Sequence, residues 1–442
     1  MRIAGPSRRG FLRGAAAMGA LGGWFLREDG LEHVAAAQRR AGERPAEELA
    51  RDEDFWLEIQ QAFAVDRSII NLNNGGVSPS PRVVQEAMRR HLEYANTAPS
   101  RHLWAVQDPQ VETVRAGLAR AFGCDAEELA ITRNASEALE TCIFGMDLRA
   151  GDEVLTSEHD YPRMISAYRQ RERRDGIRLV LAPLDVPLQD PADAVQAFRE
   201  RITPRTKVML VSHVVFVTGE ILPVRELCAL GREHGIPVIV DGAHAFAHIA
   251  FKRDELGCDY YGTSLHKWLT APHGTGFLSV RKGKIAGLWP LMAAPEPRSD
   301  SIRKFEEIGT HPAANYLAVA EALTLYNAIG PRRKEARLRY LRDRWAGRLA
   351  EDKRVRFATR LEPEAGCGIA TMELEGVDHE GLVGHLWAKH RIVTTGINYA
   401  NVRGLRVTPN VYTTLEEIDV FSRAIEDVLA NGLPPSITAP TP

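Results

Sequence analysis

The sequence predicts an α/β protein: a large domain built on a mostly parallel sheet buried on both faces, followed by a smaller α+β domain. Three observations carry this reading. Short apolar strands recur through the middle of the chain, helical stretches separate them, and a long helical stretch then gives way to mixed short strands and a final helix. Strands are expected at residues 129–132, 152–156, 177–182, 208–212, 238–241 and 276–280. Asp108-Pro109 opens a helix whose apolar face is Val111, Val114, Leu118 and Phe122, and Gly123 ends it. Further helices are expected at 135–146, 192–202 and 224–234, along 316–349, and at 415–429. The expected layout is a leader at 1–37, a polar arm at 38–70 anchored by Phe55 and Trp56, the large domain at 71–315 and the small domain at 316–432. A proline-rich tail, 433–442, is expected to be disordered.

Composition narrows the function classes. With 44% hydrophobic and 26% charged residues, the 442-residue chain can bury a large core. A net charge of −2 gives no electrostatic reason to expect nucleic acid or an anionic membrane as partner. The five cysteines, Cys124, Cys142, Cys228, Cys258 and Cys367, are odd in number, widely spaced and without a Cys-x-x-Cys. They form neither a disulfide framework nor a zinc site, so no metal is expected.

The N-terminus reads as an address. Ser7-Arg8-Arg9-Gly10-Phe11-Leu12-Arg13 precedes an apolar, small-residue stretch from Gly14 to Leu26, and no acid occurs before Glu28. This resembles a bacterial twin-arginine export signal, which implies the export machinery as a partner and a periplasmic or secreted destination. The apolar stretch is too short for a comfortable membrane span. Ala35-Ala36-Ala37 is the candidate cleavage site.

The most informative pair is Asp241 and Lys267. Asp241 ends the apolar strand Val238-Ile239-Val240. Lys267 lies in Ser264-Leu265-His266-Lys267-Trp268-Leu269. An acid at a strand end and an amine in a tight polar-aromatic loop are what pyridoxal 5′-phosphate needs: the amine forms a Schiff base with its aldehyde, and the carboxylate keeps its pyridine nitrogen protonated. Thr132-Arg133-Asn134-Ala135-Ser136-Glu137-Ala138, between a strand and a helix, has the form of an anion site built on a helix N-terminus.

With these motifs the chain, from about Asn71 to about Leu429, resembles the class V aminotransferase-fold enzymes that use pyridoxal phosphate, and within them isopenicillin N epimerase-like proteins. The resemblance implies the fold-type I transferase fold and a homodimer with active sites at the subunit interface. It places the cofactor phosphate on Ala135 and Ser136, with Asn134 beside them, and adds Ser264 and His266 from the Ser-x-His-Lys pattern. It puts an aromatic ring over the pyridine, at Tyr161 rather than His159. His213 is expected to reach the cofactor's phenolic oxygen, with His244 facing the same atom. Gly309-Thr310 matches the pair that reaches the phosphate from the second subunit.

At the substrate end, Arg406 in Leu405-Arg406-Val407-Thr408-Pro409 matches the residue that pairs with a substrate carboxylate, for which a planar guanidinium is suited. Asn73 or Asn74, in Asn71-Leu72-Asn73-Asn74-Gly75-Gly76, is expected to line the substrate pocket. Cysteine desulfurases carry a catalytic cysteine shortly before that arginine. Here the stretch is Thr395-Gly396-Ile397-Asn398-Tyr399-Ala400-Asn401, with none. The expected activity is therefore chemistry at Cα or Cβ of an amino acid or related amine, with transfer, epimerisation and β-elimination left open. A non-catalytic cofactor-binding protein is the alternative of another class, against which the intact Lys267, Asp241 and Arg406 stand.

Overall fold

The computed structural model describes residues 30–433. The twin-arginine segment and all but the first residue of the proline-rich tail lie outside the described residues. Among the described residues no helix is long and apolar enough to cross a membrane.

A seven-stranded sheet forms the centre of the large domain. Its strands are β2 (Leu129–Thr132), β3 (Glu153–Ser157), β4 (Arg178–Ala182), β5 (Thr206–Ser212), β6 (Val238–Asp241), β7 (Tyr260–Ser264) and β8 (Gly276–Val280), β1 lying elsewhere at Ile70–Asn71. The order is β2-β8-β7-β6-β5-β3-β4. Neighbours from β4 through to β7 run parallel, and β8 is antiparallel to both β7 and β2.

Helices cover both faces, which is why most of these strands carry a buried apolar run. Before the sheet come α1 (Gly30–Ala41), α2 (Glu53–Gln61), α3 (Arg82–Thr97) and α4 (Asp108–Phe122). Between strands lie α5 (Ala135–Gly145), α6 (Pro162–Asp175), α7 (Pro191–Arg199) and α8 (Val224–Glu233). One face packs Val154, Val208, Leu210 and Ile239 against α5 and α6. The other packs Met209, Val211, Val238 and Val240 with α4, α8 and the N-terminal arm. Local signals set the ends: α4 stops at Gly123 in a left-handed conformation, φ +81°, and α5 begins where the Asn134 side chain accepts the Glu137 N–H.

The expected helical stretch at 316–349 is interrupted. It contains α9 (Val319–Ile329) and α10 (Pro331–Leu349), separated by Gly330 at φ +92°. The domain boundary expected at residue 316 also moves. Val319, Ala322 and Leu325 of α9 sit in the large-domain core, and the small-domain core begins at Leu341 within α10. The cause is the apolar face of α9, which packs against α1, α3 and α4. The small domain is a four-stranded antiparallel sheet, β12-β13-β10-β9, with β9 (Val355–Phe357), β10 (Ala370–Leu374), β12 (Thr395–Tyr399) and β13 (Val402–Val407). Helices α11 (His379–His390) and α12 (Leu415–Asn431) cover it, and β11 (Ile392–Val393) pairs in parallel with β1. α12 starts on a capping box, Thr414 with Glu417.

The candidate cleavage site Ala35–Ala37 differs from expectation. It lies inside α1, and Ala37 and Ala41 are fully buried in the large-domain core. A peptidase needs an extended segment, which this docked helix does not present.

Candidate active site

A cavity of about 350 Å³ opens at the carboxyl ends of the parallel strands, against the small domain. This is where open α/β sheets place ligands, because neighbouring strand ends and the loops after them converge there. Asp241 ends β6, Ser264 ends β7, Ser212 ends β5, and the turn after β2 supplies Asn134, Ala135 and Ser136. Arg406 comes from β13 of the small domain. Lys267 sits in the loop joining β7 to β8. Leu265 accepts the Ala271 N–H at 3.1 Å, and Thr270 adopts a left-handed φ of +58°, which a β-branched residue rarely takes. Gly276 makes the anion turn possible. A Cβ there would stand 2.7 Å from Asn134 Cα and 2.6 Å from the Thr263 carbonyl oxygen.

The charges are unusual for so enclosed a place. Burial brings the Lys267 amine down to about 8, against the pull of Asp241, which favours the ammonium. Burial pushes the Asp241 carboxyl up. Its Oδ1 accepts the Ala243 N–H at 2.9 Å. His244 Nε2 is 3.1 Å from Lys267 Nζ, and its Nδ1 accepts from Trp268 Nε1 at 3.4 Å. Burial and the adjacent Lys267 hold His244 well below the ordinary imidazole range, so it is neutral. Trp268 is in turn stacked on His248, with ring centroids 3.7 Å apart and planes 4° apart. His248 is fixed by the His244 carbonyl at 2.7 Å and the Gly368 N–H at 2.8 Å.

Arg406 is 6% exposed and has no carboxylate partner among the described residues. One terminal nitrogen donates to the Phe216 carbonyl at 2.9 Å and the other to Asn73 Oδ1 at 3.1 Å, while its Nε is buried without a partner. Burial lowers the guanidinium to about 10. A desolvated cation with a free donor is a site for an anion.

The structure gathers most of the sequence-expected residues. Asn134, Ala135, Ser136, Tyr161, Asp241, His244, Ser264, His266, Lys267 and Arg406 all line the one cavity. Ser264 Oγ accepts the Ala135 N–H at 2.9 Å, joining the two halves of the expected phosphate cradle. Tyr161 stands edge-on to Phe216, with centroids 5.4 Å apart, while His159 is buried elsewhere against Asn401.

Four residues are placed otherwise. His213 does not face the cavity. Strand register sets Ser212 beside Asp241, so the next side chain points to the opposite face, where His213 meets Tyr261 and Phe251. Asn74 is fully buried and holds chain together, donating to the Asn71 and Thr408 carbonyls and accepting from Tyr412. Asn73 reaches the site only through Arg406. Thr310 is exposed, in a separate cleft beside α3.

Sequence reading missed Thr395, Phe216, Ile397 and Met164 as lining residues. Thr395 and Ile397 lie on β12, Met164 on α6 and Phe216 in a turn, and no local motif marks any of them. It also missed Asp160, buried beneath the site, which accepts from Ser212 Oγ at 2.8 Å and is pushed up to about 6 by burial.

The residues fit pyridoxal phosphate. A helix N-terminus with Ser136, Ser264 and His266 suits a phosphate, the buried strand-end acid suits a pyridinium, and a lysine of lowered basicity suits an aldehyde. Among the described residues there is no cluster of His, Cys, Asp or Glu able to hold a metal.

Comparison with known proteins agrees. The sequence pattern of the aminotransferase class-V family matches residues 70–421, and the chain belongs to that family of pyridoxal-phosphate enzymes. It is 32% identical to the isopenicillin N epimerase of Streptomyces clavuligerus, over 84% of this chain and 98% of that one. A probable cysteine desulfurase of Vibrio cholerae is 25% identical over 83% of this chain and 96% of its own. Among solved structures, the cysteine desulfurase of Thermococcus onnurineus superposes with a TM-score of 0.74 at 21% identity, covering 85% of this chain and 98% of that one. The cystine C–S lyase C-DES gives 0.73 at 23%, covering 82% and 98%. These two show a shared fold.

Proposed function

We propose that this enzyme removes and returns the Cα proton of an amino acid. The observation that carries this is one cavity holding a weakly basic Lys267 and a buried Arg406 with no acid to neutralise it. Pyridoxal phosphate, when bound, supplies an electron sink that lets a Cα–H bond ionise. Arg406 binds the substrate carboxylate and so fixes which Cα bond meets Lys267. Lys267, brought down to about 8 by burial, has a free-amine fraction near physiological pH that an ordinary lysine lacks and accepts the proton, and a base poised near the working pH is the most effective kind. Asp241 retains the proton on the pyridine nitrogen. None of the described residues lining the cavity is a cysteine, which disfavours persulfide chemistry. The test is exchange: the holoenzyme incubated with amino acids in deuterium oxide should place deuterium at Cα of its substrate, and Lys267→Ala should not. Absence of exchange with every amino acid tried overturns the reading.

A second reading, epimerisation, is favoured by the match to isopenicillin N epimerases. It predicts that deuterium incorporation is accompanied by inversion at Cα, whereas transamination yields a keto acid. We further propose a homodimer in which Thr310, exposed and outside its own chain's cavity, serves the partner's phosphate. Thr310→Ala should then weaken cofactor binding. Export by the twin-arginine route rests on Arg8-Arg9 ahead of Gly14 to Leu26. Replacing both arginines by lysine should leave active enzyme in the cytoplasm.

A further inference from the structure

We infer that the substrate is an amino acid with an uncharged, apolar or aromatic side chain, its single carboxylate shared between Arg406 and Thr395. This rests on the proposed reading, and it goes beyond it by naming the substrate class and a further binding residue.

The argument begins with charge. One carboxylic acid and two strongly basic side chains line the cavity among the described residues: Asp241, Lys267 and Arg406. Lys267 and Asp241 are allotted to the cofactor. That leaves one cation, Arg406, and therefore room for one anion. His244 and His266 do not add charge. Burial holds His266 at about 4 and His244 lower than its ordinary range. A second carboxylate or an ammonium on the substrate side chain would enter without a counter-ion, and an unpaired charge is costly to desolvate.

Shape agrees with charge. The wall beside Arg406 is Phe216, Tyr161, Ile397 and Val214. Phe216 is flanked by Tyr161 at 5.4 Å and Tyr399 at 5.5 Å between ring centroids, an aromatic wall suited to apolar atoms.

Hydrogen bonding identifies the second carboxylate ligand. Thr395 on β12 pairs directly with Arg406 on β13 and lines the same cavity. Its Oγ1 is buried with no partner, as is Arg406 Nε. Two unsatisfied donors on adjoining strands are rare in a folded protein, and a ligand oxygen is the ready explanation.

Binding can be read free of turnover with α-methyl amino acids, which have no Cα proton. Calorimetric titration of the holoenzyme should give dissociation constants about tenfold or more lower for α-methylphenylalanine and α-methylmethionine than for α-methylglutamate and α-methyllysine. Thr395→Val should raise the constant for α-methylphenylalanine by about tenfold, the scale of a charge-assisted hydrogen bond. Thr395→Ser should restore it, and 2-phenylethylamine, which lacks the carboxylate, should bind both forms alike. Tighter binding of the glutamate or lysine analogue, or no effect of Thr395→Val, overturns the inference and leaves Cα proton transfer standing. Failure of every analogue to bind overturns both.

Discussion

His244 Nε2 stands 3.1 Å from Lys267 Nζ while Trp268 Nε1 donates to the other ring nitrogen of His244. With Nδ1 accepting, the imidazole proton of a neutral His244 belongs on Nε2, so His244 donates to the free amine of Lys267 and favours the neutral form. In the cofactor-free protein the rate of Lys267 acetylation by acetic anhydride should therefore rise with pH and level off above about 8. An ordinary lysine would level off only above about 10.4. Asp241→Asn removes the carboxylate that favours the ammonium, so the midpoint should fall further. Mass spectrometry of the Lys267 peptide across pH reads both, and a midpoint near that of exposed lysines would contradict the account.

Asp241 is needed for chemistry more than for binding. Asp241→Ala should still take up pyridoxal phosphate through the phosphate cradle and Lys267, and should lose nearly all turnover, because an unprotonated pyridine is a poor electron sink. Cofactor content and steady-state rate, measured on the same sample, separate the two effects. A near-normal rate would mean that another group protonates the ring.

Lys334 is a second buried lysine, 3% exposed, donating to the Trp268 carbonyl and brought down to about 7 by burial. Its depressed value means the unfolded chain binds more protons between pH 7 and 10.5, so stability rises with pH across that window. Cysteines and tyrosines titrate in the upper part of it, and comparison with Lys334→Met isolates the lysine. From pH 7 to 9 the wild type should gain about 2 kcal/mol relative to Lys334→Met in denaturant titrations. Parallel pH dependences for the two proteins would show that Lys334 stays charged when folded.

Arg406 and Cys367 test how substrate is held. Arg406→Lys retains a cation and loses the planar fork, so KM for the true substrate should rise by roughly ten- to a hundredfold, for a charge-assisted pair worth about 1.5–3 kcal/mol. Cys367 is buried against the carbonyls of His248 and Glu335, outside the cavity, with its thiol pushed up to about 12 by burial. Cys367→Ala should leave turnover almost unchanged. The reverse pattern would reopen thiol chemistry.

Much of the site was legible because its signals are local. The turn after β2, the acid ending β6 and the Ser-x-His-Lys loop are each read within a few residues, and each lines the cavity. What failed depended on alternation or on distant packing. His213 adjoins Ser212, yet a one-residue step along a strand reverses the face, and pairing of Ser212 with Asp241 decides which residue looks inward. β7, rich in Gly, Thr and Ser, lacks an apolar run and was missed, although it carries Ser264. Thr395 and Phe216 acquire meaning only when β12 and β13 close over the large domain. The 316 boundary failed because α9 is apolar enough to join the large core.

The most direct test of the account is where the cofactor is attached. Three lysines have lowered basicity, Lys267 at the cavity, Lys334 behind Trp268 and Lys304 on the Ile285 carbonyl, so the assignment can fail in a specific way. The cofactor-loaded protein is reduced with borohydride, digested and mapped by mass spectrometry. The account predicts the pyridoxyl group on the peptide containing Lys267. A label on Lys334 or any other lysine, or none on freshly loaded protein, would contradict it.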